Sequence, residues 1–221
     1  VTYYVADVQL TSATDLLAAF SGGEFESDET EDTSEIAAAN GAVFAVNGDY
    51  YGALTDGVII RNGVLYRNVP ARTGLALYGD GSMAVYNETE ITAEQLLADG
   101  VWNTYSFGPG LLVDGDVPDG IETYEVIANP RHPIQGSNPR TGIGMISANH
   151  FVFVVVDGRN SGYSRGVTLA EFAQIFKDLG CMTAYNLDGG GSSTMFFMGE
   201  VVNNPAGRHG ERAVRDILYI K

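Results

Sequence analysis

One stretch of the chain combines residue types that suit chemistry on a polar ligand. It runs from Cys181 to Met195, begins as a strand, and continues as three glycines and three hydroxyl residues. Because side chains alternate along a strand, Asn186 and Asp188 lie on the same face. Asp188 also lies at the strand's carboxyl end, where open sheets with helical crossovers bind ligands. Glycines allow close approach and expose N–H groups to an anion. The stretch therefore predicts a binding site formed by Asn186, Asp188, Gly189, Gly190, Gly191, Ser192, Ser193 and Thr194.

Two other interpretations of this stretch exist. A plain glycine-rich turn is the first, since Asp-Gly is common in turns, but the run of Asn-Leu-Asp, three glycines and three hydroxyls favours a site. A nucleotide-binding P-loop is the second. We reject it because the Gly-Lys-Ser/Thr ending is absent and the chain's only lysines are Lys177 and Lys221.

Two further polar positions follow or begin predicted strands. Asn47 and Asp49 come directly after the apolar strand at 42–46, and they form either a second part of the site or a turn stabilised by their own side chains. Arg140 stands at the start of the predicted strand at 141–147. Its planar guanidinium suits a phosphate or carboxylate, and a structural salt bridge is the alternative.

The elements that must position these residues include a βαβ unit. Residues 151–156 are apolar on both faces and predict a central strand. Thr168 and Glu171 have the spacing of a capping box, which opens a helix that stops at Gly180. A strand at 182–187 follows at once. We therefore predict two parallel strands joined by a helical crossover.

This unit brings the candidate residues to one edge of the sheet. Asp157 and Asp188 each follow one of the two parallel strands, and the amino end of the connecting helix points the same way and favours an anion. Arg159 and Arg165 lie on the connecting loop. Carboxylates, arginines and a glycine-hydroxyl loop in one cleft suit a ligand that carries hydroxyls and a phosphate.

The remaining pattern predicts a mixed α/β fold of the α+β type, with a central mixed β-sheet, flanking helices and the βαβ unit near the C-terminus. We expect one domain over residues 1–221. Residues 121–135 predict a loop or irregular strand that carries Arg131 and His132. The other predicted elements are strands at 2–10 and 213–220, helices at 14–20, 34–40 and 92–99, and hairpins around 61–63, 79–81 and 198–200.

Composition limits the partners. The net charge of −16 argues against nucleic acid and anionic membrane surfaces. No apolar run is long enough to span a membrane, and the lone Cys181 excludes an internal disulfide. The chain begins at Val1 without Met or a signal peptide, so we expect a trimmed or mature piece of a protein. High acidity, few lysines and a single cysteine fit a bacterial exported protein, and we expect it to act outside the cell or at its surface.

Four motifs resemble the phosphodiester glycosidase family. They are Asn-Pro-Arg-Thr-Gly-Ile-Gly at 138–144, Val-Asp-Gly-Arg at 156–159 with Gly-Tyr-Ser at 162–164, Thr-Leu-Ala-Glu at 168–171, and Asn-Leu-Asp-Gly-Gly-Gly-Ser-Ser-Thr-Met at 186–195. The resemblance extends from about Asn47 to the C-terminus. Members often carry Asn-Gly-Gly before two aromatic residues, and here Asp49 replaces the second glycine.

The resemblance implies a glycoside hydrolase that acts on a sugar 1-phosphodiester, with N-acetylglucosamine-α-1-phosphodiester as the expected substrate. The phosphate monoester leaves as a stable anion, so the chemistry needs charge stabilisation, which Arg140 and Arg159 can provide. Asp188 is the expected catalytic carboxylate, with Asp157 second. Asn47, Asp49, Asn186 and the loop at 189–194 are expected to bind substrate.

Two other functions remain as alternatives. A non-catalytic module that binds a glycan or the cell wall would use the same cleft without turnover. A metal-dependent phosphodiesterase would cleave the P–O bond and would need clustered acids around a divalent cation, which Asp49, Asp157 and Asp188 could supply. We expect no cofactor, since the ligand spacing of a zinc site is absent.

Overall fold

The structure is a computed structural model that describes residues 1–126 and 133–221. Arg131 and His132, which the sequence predicts on a loop, lie outside the described residues. The helices are α1 Thr33–Ala39, α2 Ala93–Ala98 and α3 Leu169–Asp178. The strands are β1 Tyr3–Gln9, β2 Leu17–Phe20, β3 Phe44–Asn47, β4 Gly57–Arg61, β5 Val64–Val69, β6 Thr73–Tyr78, β7 Met83–Asn87, β8 Val101–Tyr105, β9 Gly110–Leu112, β10 Arg140–Ser147, β11 His150–Val156, β12 Thr183–Asn186, β13 Met195–Phe197, β14 Glu200–Val201 and β15 Asp216–Ile220.

Two five-stranded sheets form the centre of the molecule. The first sheet has the order β1–β11–β10–β12–β9, and the second has the order β14–β13–β3–β15–β2. Two smaller units, the hairpin β4–β5 and the sheet β7–β6–β8, accompany them. The predicted hairpins around residues 61–63, 79–81 and 198–200 are confirmed.

The two large sheets pack face to face between two helices. Strand β11 is apolar on both faces, and each face packs against a different layer. Val154 packs with Phe172 of α3 on one side, while Phe153 packs with Phe44 and Leu218 of the second sheet on the other. Because strand side chains alternate, one apolar run serves two interfaces.

The far side of the second sheet is covered by α1. Ile217 and Phe196 lie in one buried cluster with Ile36 of that helix. The order of layers is therefore helix, sheet, sheet, helix. Each fully buried side chain of this size contributes roughly 1.5–3 kcal/mol by leaving water.

Helix α3 begins and ends as predicted. The Thr168 hydroxyl accepts a hydrogen bond from the Glu171 N–H at 3.2 Å, and the Thr168 N–H donates to the Glu171 carboxylate at 2.9 Å. This capping box satisfies two main-chain donors at the helix start. The helix ends before Gly180, whose φ of +82° suits a residue without a Cβ.

The predicted βαβ unit is confirmed, with one strand inserted. Strands β11 and β12 both pair antiparallel with β10, so they run parallel to each other on either side of it. The α+β class is confirmed as well. The expected mixed sheet is wrong, since every hydrogen-bonded strand pair in the described sheets is antiparallel. The two parallel strands, β11 and β12, are not hydrogen-bonded to each other because β10 lies between them.

One predicted helix is also wrong. Residues 14–20 form a single 3₁₀ turn at Ala13–Asp15 and then strand β2. Strand β2 pairs with β15, which places Ala18 opposite Leu218. The hydrogen bonds to a strand almost two hundred residues away outweigh the local helix propensity, which is small and is commonly overridden by tertiary contacts.

Candidate active site

Asp188 lies in a cleft where the two large sheets meet. It follows β12 of the first sheet, and the chain then crosses to β13 of the second. The cleft has a volume of about 230 Å³. We call it the arginine cavity. Its polar lining consists of Tyr50, Asn138, Arg140, Arg159, Asp188 and Arg212.

The Asp188 carboxylate is held in place by two donors. One oxygen accepts from the Gly189 N–H at 2.8 Å, and the other accepts from Nη2 of Arg212 at 2.7 Å. Burial raises the pKa of Asp188 above its ordinary value, while Arg212 and the hydrogen bonds from Ser192 and Gly189 act in the opposite direction. The carboxylate is thus buried, bonded on both oxygens, and placed against the cleft.

Asn47 fixes the main chain on which Asp188 stands. Its amide nitrogen donates to the Asp188 carbonyl at 2.8 Å. Its amide oxygen accepts from the Thr141 hydroxyl at 2.7 Å and from the Thr194 N–H at 3.3 Å. Asn47 itself is fully buried. The structure therefore gives Asn47 a positioning role, in which one side chain ties both sheets to the Asp188 segment.

Arg140 is a buried guanidinium without a carboxylate partner among the described residues. It donates to the carbonyl of Val167 at 3.1 Å, to that of Gly136 at 2.9 Å, and to that of Ile134. Burial, together with the nearby charge of Arg159, lowers the pKa of Arg140 to about 10. The alternative of a structural salt bridge is not found in the described part of the chain, so the positive charge of Arg140 is available to a bound anion.

Arg159 adds a second positive charge. Its Nη2 donates to the Asn138 amide oxygen at 2.9 Å, and none of the ion pairs in the described residues includes it. Burial and the neighbouring Arg212 lower its pKa, and Asp188 opposes this. The backbone of Arg159 is left-handed, with a φ of +57°. A non-glycine residue in that region is strained, and such strain is often found at functional sites.

Arg212 is the residue that the sequence analysis missed. It donates to Asp188, its Nε donates to the Ser192 hydroxyl at 2.7 Å, and its guanidinium carbon lies 5.6 Å from the centre of the Tyr50 ring. The chain around it has no motif, and Arg212 is separated from Asp188 by the strands β13 and β14 and a loop. Only the fold brings it to the site.

The glycines provide space more than hydrogen bonds. The Gly189 N–H donates to Asp188 and the Gly190 N–H donates to Pro139, so for these two residues the predicted exposed N–H groups are wrong. A Cβ on Gly190 would lie 3.0 Å from the Arg159 guanidinium, and one on Gly191 would lie 3.3 Å from Arg212. The glycines thus leave room for both arginines to approach the loop closely.

Most of the hydroxyl run lies behind the wall of the cleft. Ser192 bonds Arg212, whereas the Ser193 and Thr194 hydroxyls are buried with no hydrogen-bond partner in the described residues. The same is true of the side-chain oxygen of Asn186, whose amide nitrogen donates to the Gly108 carbonyl at 2.8 Å. Substrate binding by Asn186, Ser193 and Thr194 stays a prediction.

Asp157 is occupied by other contacts. Its oxygens accept from the Asn203 amide at 2.9 Å, from the Asn204 N–H at 3.1 Å and from the Tyr163 hydroxyl at 2.9 Å. It emerges at the same sheet edge as Asp188, but it is not among the residues that line the arginine cavity. These contacts favour a positioning role, and a catalytic role for Asp157 stays a prediction.

The predicted convergence on the cleft is therefore partial. Arg165 does not join it, because its guanidinium pairs with Glu171 at 2.5 Å on the exposed surface beside α3. That contact lowers the pKa of Glu171 to about 2. The start of α3 is occupied by its own capping box. Asp188, Arg140 and Arg159 do meet with the glycine loop, as the sequence predicts.

A second cavity of about 260 Å³ lies on the other side of Asp188. Asp49 and the Thr30 and Ser192 side chains line it, and it shares Tyr50, Asp188 and Arg212 with the arginine cavity. We call it the Asp49 cavity.

Asp49 belongs to a buried ionic cluster beneath this cavity. Nη2 of Arg61 lies 3.1 Å from Asp49 and 2.7 Å from Asp216, and all three side chains are fully buried. Burial, together with Asp49 and Asp188, raises the pKa of Asp216 to about 7 although Arg61 opposes this. Two carboxylates thus share one guanidinium directly behind the site.

The described residues do not bring together the donors that the metal-dependent alternative needs. In residues 1–126 and 133–221, no group of three or more His, Cys, Asp or Glu side chains is placed to hold a metal ion. Asp157 is bound by Asn203 and Tyr163, and Asp49 is bound by Arg61. The three-carboxylate arrangement that this alternative needs is therefore not present in that part of the chain.

The chain belongs to the phosphodiester glycosidase family, whose model matches residues 36–221. It is also 34% identical over 190 residues to the SPbeta prophage-derived uncharacterized protein YomE of Bacillus subtilis strain 168. That alignment covers 84% of this chain and 28% of the relative, so the chain spans about a quarter of the relative's length.

Solved structures share the fold. The catalytic domain of zebrafish N-acetylglucosamine-1-phosphodiester alpha-N-acetylglucosaminidase, auto-inhibited by its pro-peptide, matches with a TM-score of 0.77 and 22% identity over 99% of this chain and 82% of that one. A Burkholderia pseudomallei protein, named as a candidate exported protein, matches with a TM-score of 0.72 and 17% identity over 99% and 73% of the two chains. At these identities the matches show the fold alone.

No helix in the described ranges has the length and apolar character needed to cross a membrane.

Proposed function

We propose that the protein hydrolyses the bond between the sugar and the phosphate of a sugar 1-phosphodiester, with N-acetylglucosamine-α-1-phosphodiester as the expected substrate. One observation carries the proposal: the Asp188 carboxylate shares a cleft with Arg140 and Arg159, whose charges have no carboxylate partner in the described residues. A carboxylate beside unpaired guanidinium groups suits the junction of a sugar and a phosphate. Family membership and the name of the zebrafish enzyme support the same substrate class.

The leaving group decides what the arginines must do. Cleavage releases a phosphate monoester, which is a stable anion and needs little protonation. Negative charge that develops on the leaving oxygen must still be stabilised. Planar guanidinium groups bind phosphate through paired N–H donors, and donors already fixed in a buried site need no reorganisation during the reaction. Arg140 and Arg159 take this role.

Asp188 acts on the sugar carbon. As the bond to phosphate breaks, that carbon gains oxocarbenium character, and a carboxylate stabilises it, attacks it, or activates the water that attacks it. Arg212 at 2.7 Å favours the ionised form of Asp188, against the effect of burial on its pKa. Asn47 and Arg212 thus hold the Asp188 carboxylate in one orientation.

The experiment measures release of free N-acetylglucosamine from an N-acetylglucosamine-α-1-phosphodiester, with and without EDTA. Asp188→Asn should lower kcat by roughly 10²–10⁴-fold, the usual contribution of a positioned acid or base. Asp178→Asn is the matched control, because Asp178 is exposed on α3 and bonded only by Gln174 among the described residues. It should leave kcat unchanged.

Each other outcome selects an alternative. Sugar 1-phosphate as the product, with activity lost in EDTA, would replace the proposal by a metal-dependent phosphodiesterase. Binding without turnover of any sugar phosphodiester would leave a module that binds a glycan. Full activity in Asp188→Asn would remove Asp188 from the mechanism.

We also propose that the protein works outside the cytoplasm, on a glycosyl phosphodiester or a glycan of the cell envelope. The Burkholderia protein of the same fold, named as a candidate exported protein, supports this location. Fractionation of the native source, with an antibody against the domain, tests it. Recovery from the cytoplasm would contradict the proposal.

A further inference from the structure

Two cavities meet at one carboxylate. Asp188, Arg212 and Tyr50 line both the arginine cavity and the Asp49 cavity, so these three side chains form the wall between them. Each cavity alone is smaller than the ~300–1,000 Å³ of a typical ligand site, and the two together lie within that range. A ligand that fills both must have two parts joined close to Asp188.

The two cavities differ in charge. Arg140 and Arg159 in the arginine cavity have no carboxylate partner within the described residues. In the Asp49 cavity, Arg212 pairs with Asp188, and Nη2 of Arg215 lies 3.7 Å from Asp28. A bound anion is therefore favoured in the arginine cavity.

The Asp49 cavity has the groups that suit an uncharged polyol. Asp188 can accept hydrogen bonds from hydroxyl groups. Beneath the cavity, the buried cluster has two carboxylates, Asp49 and Asp216, for the single guanidinium of Arg61, which disfavours an anion. The Thr30 hydroxyl can both donate and accept, whereas Ser192 is buried and bonded to Arg212. Small residues complete the lining, among them Ala53. Among the described residues, the two arginines that line this cavity, Arg212 and Arg215, already face a carboxylate, so neither is left for a second anion.

We propose, on the basis of the function above, that the substrate spans the wall, with the phosphate in the arginine cavity and a single sugar ring in the Asp49 cavity. Thr30, Ala53 and Asp188 then contact and select the sugar, and the arginine cavity selects only the phosphate. The Asp188 carboxylate lies at the bond between the two parts. Ala53 lines the Asp49 cavity and not the arginine cavity, so a larger side chain at this position should weaken binding of the sugar and not of the phosphate.

The test measures binding rather than turnover. Calorimetry gives the dissociation constants of inorganic phosphate, glucose 1-phosphate and N-acetylglucosamine 1-phosphate. At least one sugar 1-phosphate should bind roughly tenfold or more tightly than phosphate, a ratio that reports contacts in the Asp49 cavity. Ala53→Leu should remove this ratio and leave the affinity for phosphate unchanged. Arg159→Met should weaken phosphate and both sugar phosphates alike.

Two controls separate a local effect from misfolding. Ala38→Leu makes the same change at an exposed position of α1 that lines neither cavity, and it should alter no affinity. Thr30→Leu fills the Asp49 cavity from a different loop and should reproduce the effect of Ala53→Leu. Retained phosphate affinity shows in each variant that the site is folded.

Several results would overturn the assignment. Equal binding of phosphate and both sugar phosphates by the wild type would do so, and so would Ala53→Leu that weakens phosphate but keeps the ratio. Failure of the proposed function is distinguishable. If Ala53→Leu removes the preference for a sugar 1-phosphate over phosphate while the wild type hydrolyses no phosphodiester, the two subsites are supported and the proposed reaction is refuted. If turnover is intact in Ala53→Leu, the reaction stands and the sugar subsite does not.

Discussion

Replacing Arg61 by methionine should remove about 3–5 kcal/mol from the free energy of unfolding near neutral pH, the usual cost of breaking a buried ion pair from one side. Arg61 pairs with Asp216 at 2.7 Å and with Asp49 at 3.1 Å, and its guanidinium lies 4.2 Å from the Tyr105 ring centre. Methionine preserves much of the volume. The main loss is therefore the charge that compensates two buried carboxylates, which is large against a total stability of roughly 5–15 kcal/mol.

The loss should depend on pH. Without Arg61, the pKa of Asp216 in the folded state rises further above the unfolded value of ~3.9. The folded protein then binds more protons than the unfolded chain across that interval, so its free energy of unfolding falls as the pH rises. The deficit of Arg61→Met should therefore be largest near pH ~8 and smaller near pH ~5, where protonation neutralises part of the buried charge.

Urea unfolding of the wild type and Arg61→Met at both pH values measures this deficit. Arg165→Met is the matched control, because it removes an arginine from the exposed pair with Glu171 and should cost less than ~1 kcal/mol. Adding Asp216→Asn to Arg61→Met should recover part of the loss. A deficit below ~1 kcal/mol, or one of equal size at both pH values, would refute the reasoning about buried charge.

Three further outcomes are expected. Because the pKa of Asp216 is raised to about 7, the free energy of unfolding of the wild type should contain a component that falls as the pH rises toward 7, and Asp216→Asn should remove it in urea unfolding across that range. Thr168→Ala should lower stability by ~1 kcal/mol through loss of the helix cap, with unchanged affinity for phosphate in calorimetry. Gly190→Ala should lower the free energy of unfolding by ~1–2 kcal/mol because the φ of Gly190 is +65°. It should also weaken phosphate binding, measured by calorimetry, because the new Cβ meets the Arg159 guanidinium. An unchanged affinity would contradict the placement of Arg159.

Local signals in the sequence were sufficient for much of the fold. The capping box at Thr168 and the apolar run at 151–156 predict α3 and β11 because their information is contained in a few neighbouring residues. Strand β2 could not be predicted in this way. Its partner is β15, and pairing with a distant strand decides its conformation. The antiparallel pairing of the first sheet could not be predicted either. It arises because β10 lies between β11 and β12, and no local pattern in the sequence indicates that position.

The site shows the same division. Asp188 and Arg159 follow predicted strands, so topology alone brings them to one edge. Arg212 reaches Asp188 from a loop without a motif, and nothing in its neighbourhood distinguishes it from other surface arginines. Asp157 has the residue type and position of a catalytic carboxylate, but Asn203 and Tyr163 occupy its oxygens. Such contacts depend on three-dimensional packing, which residue types do not reveal.

The place of β15 has a consequence for how the protein acquires its site during synthesis. Strand β15 follows every other described strand in the chain, yet it lies between β3 and β2 in the second sheet. Until it emerges from the ribosome, β2 and β3 have unpaired edges, which are prone to association with other chains. Asp216 and Arg212 arrive in the same late step. The ability to bind phosphate should therefore appear only after β15 has paired with β3 and β2, and ligand binding would report that step.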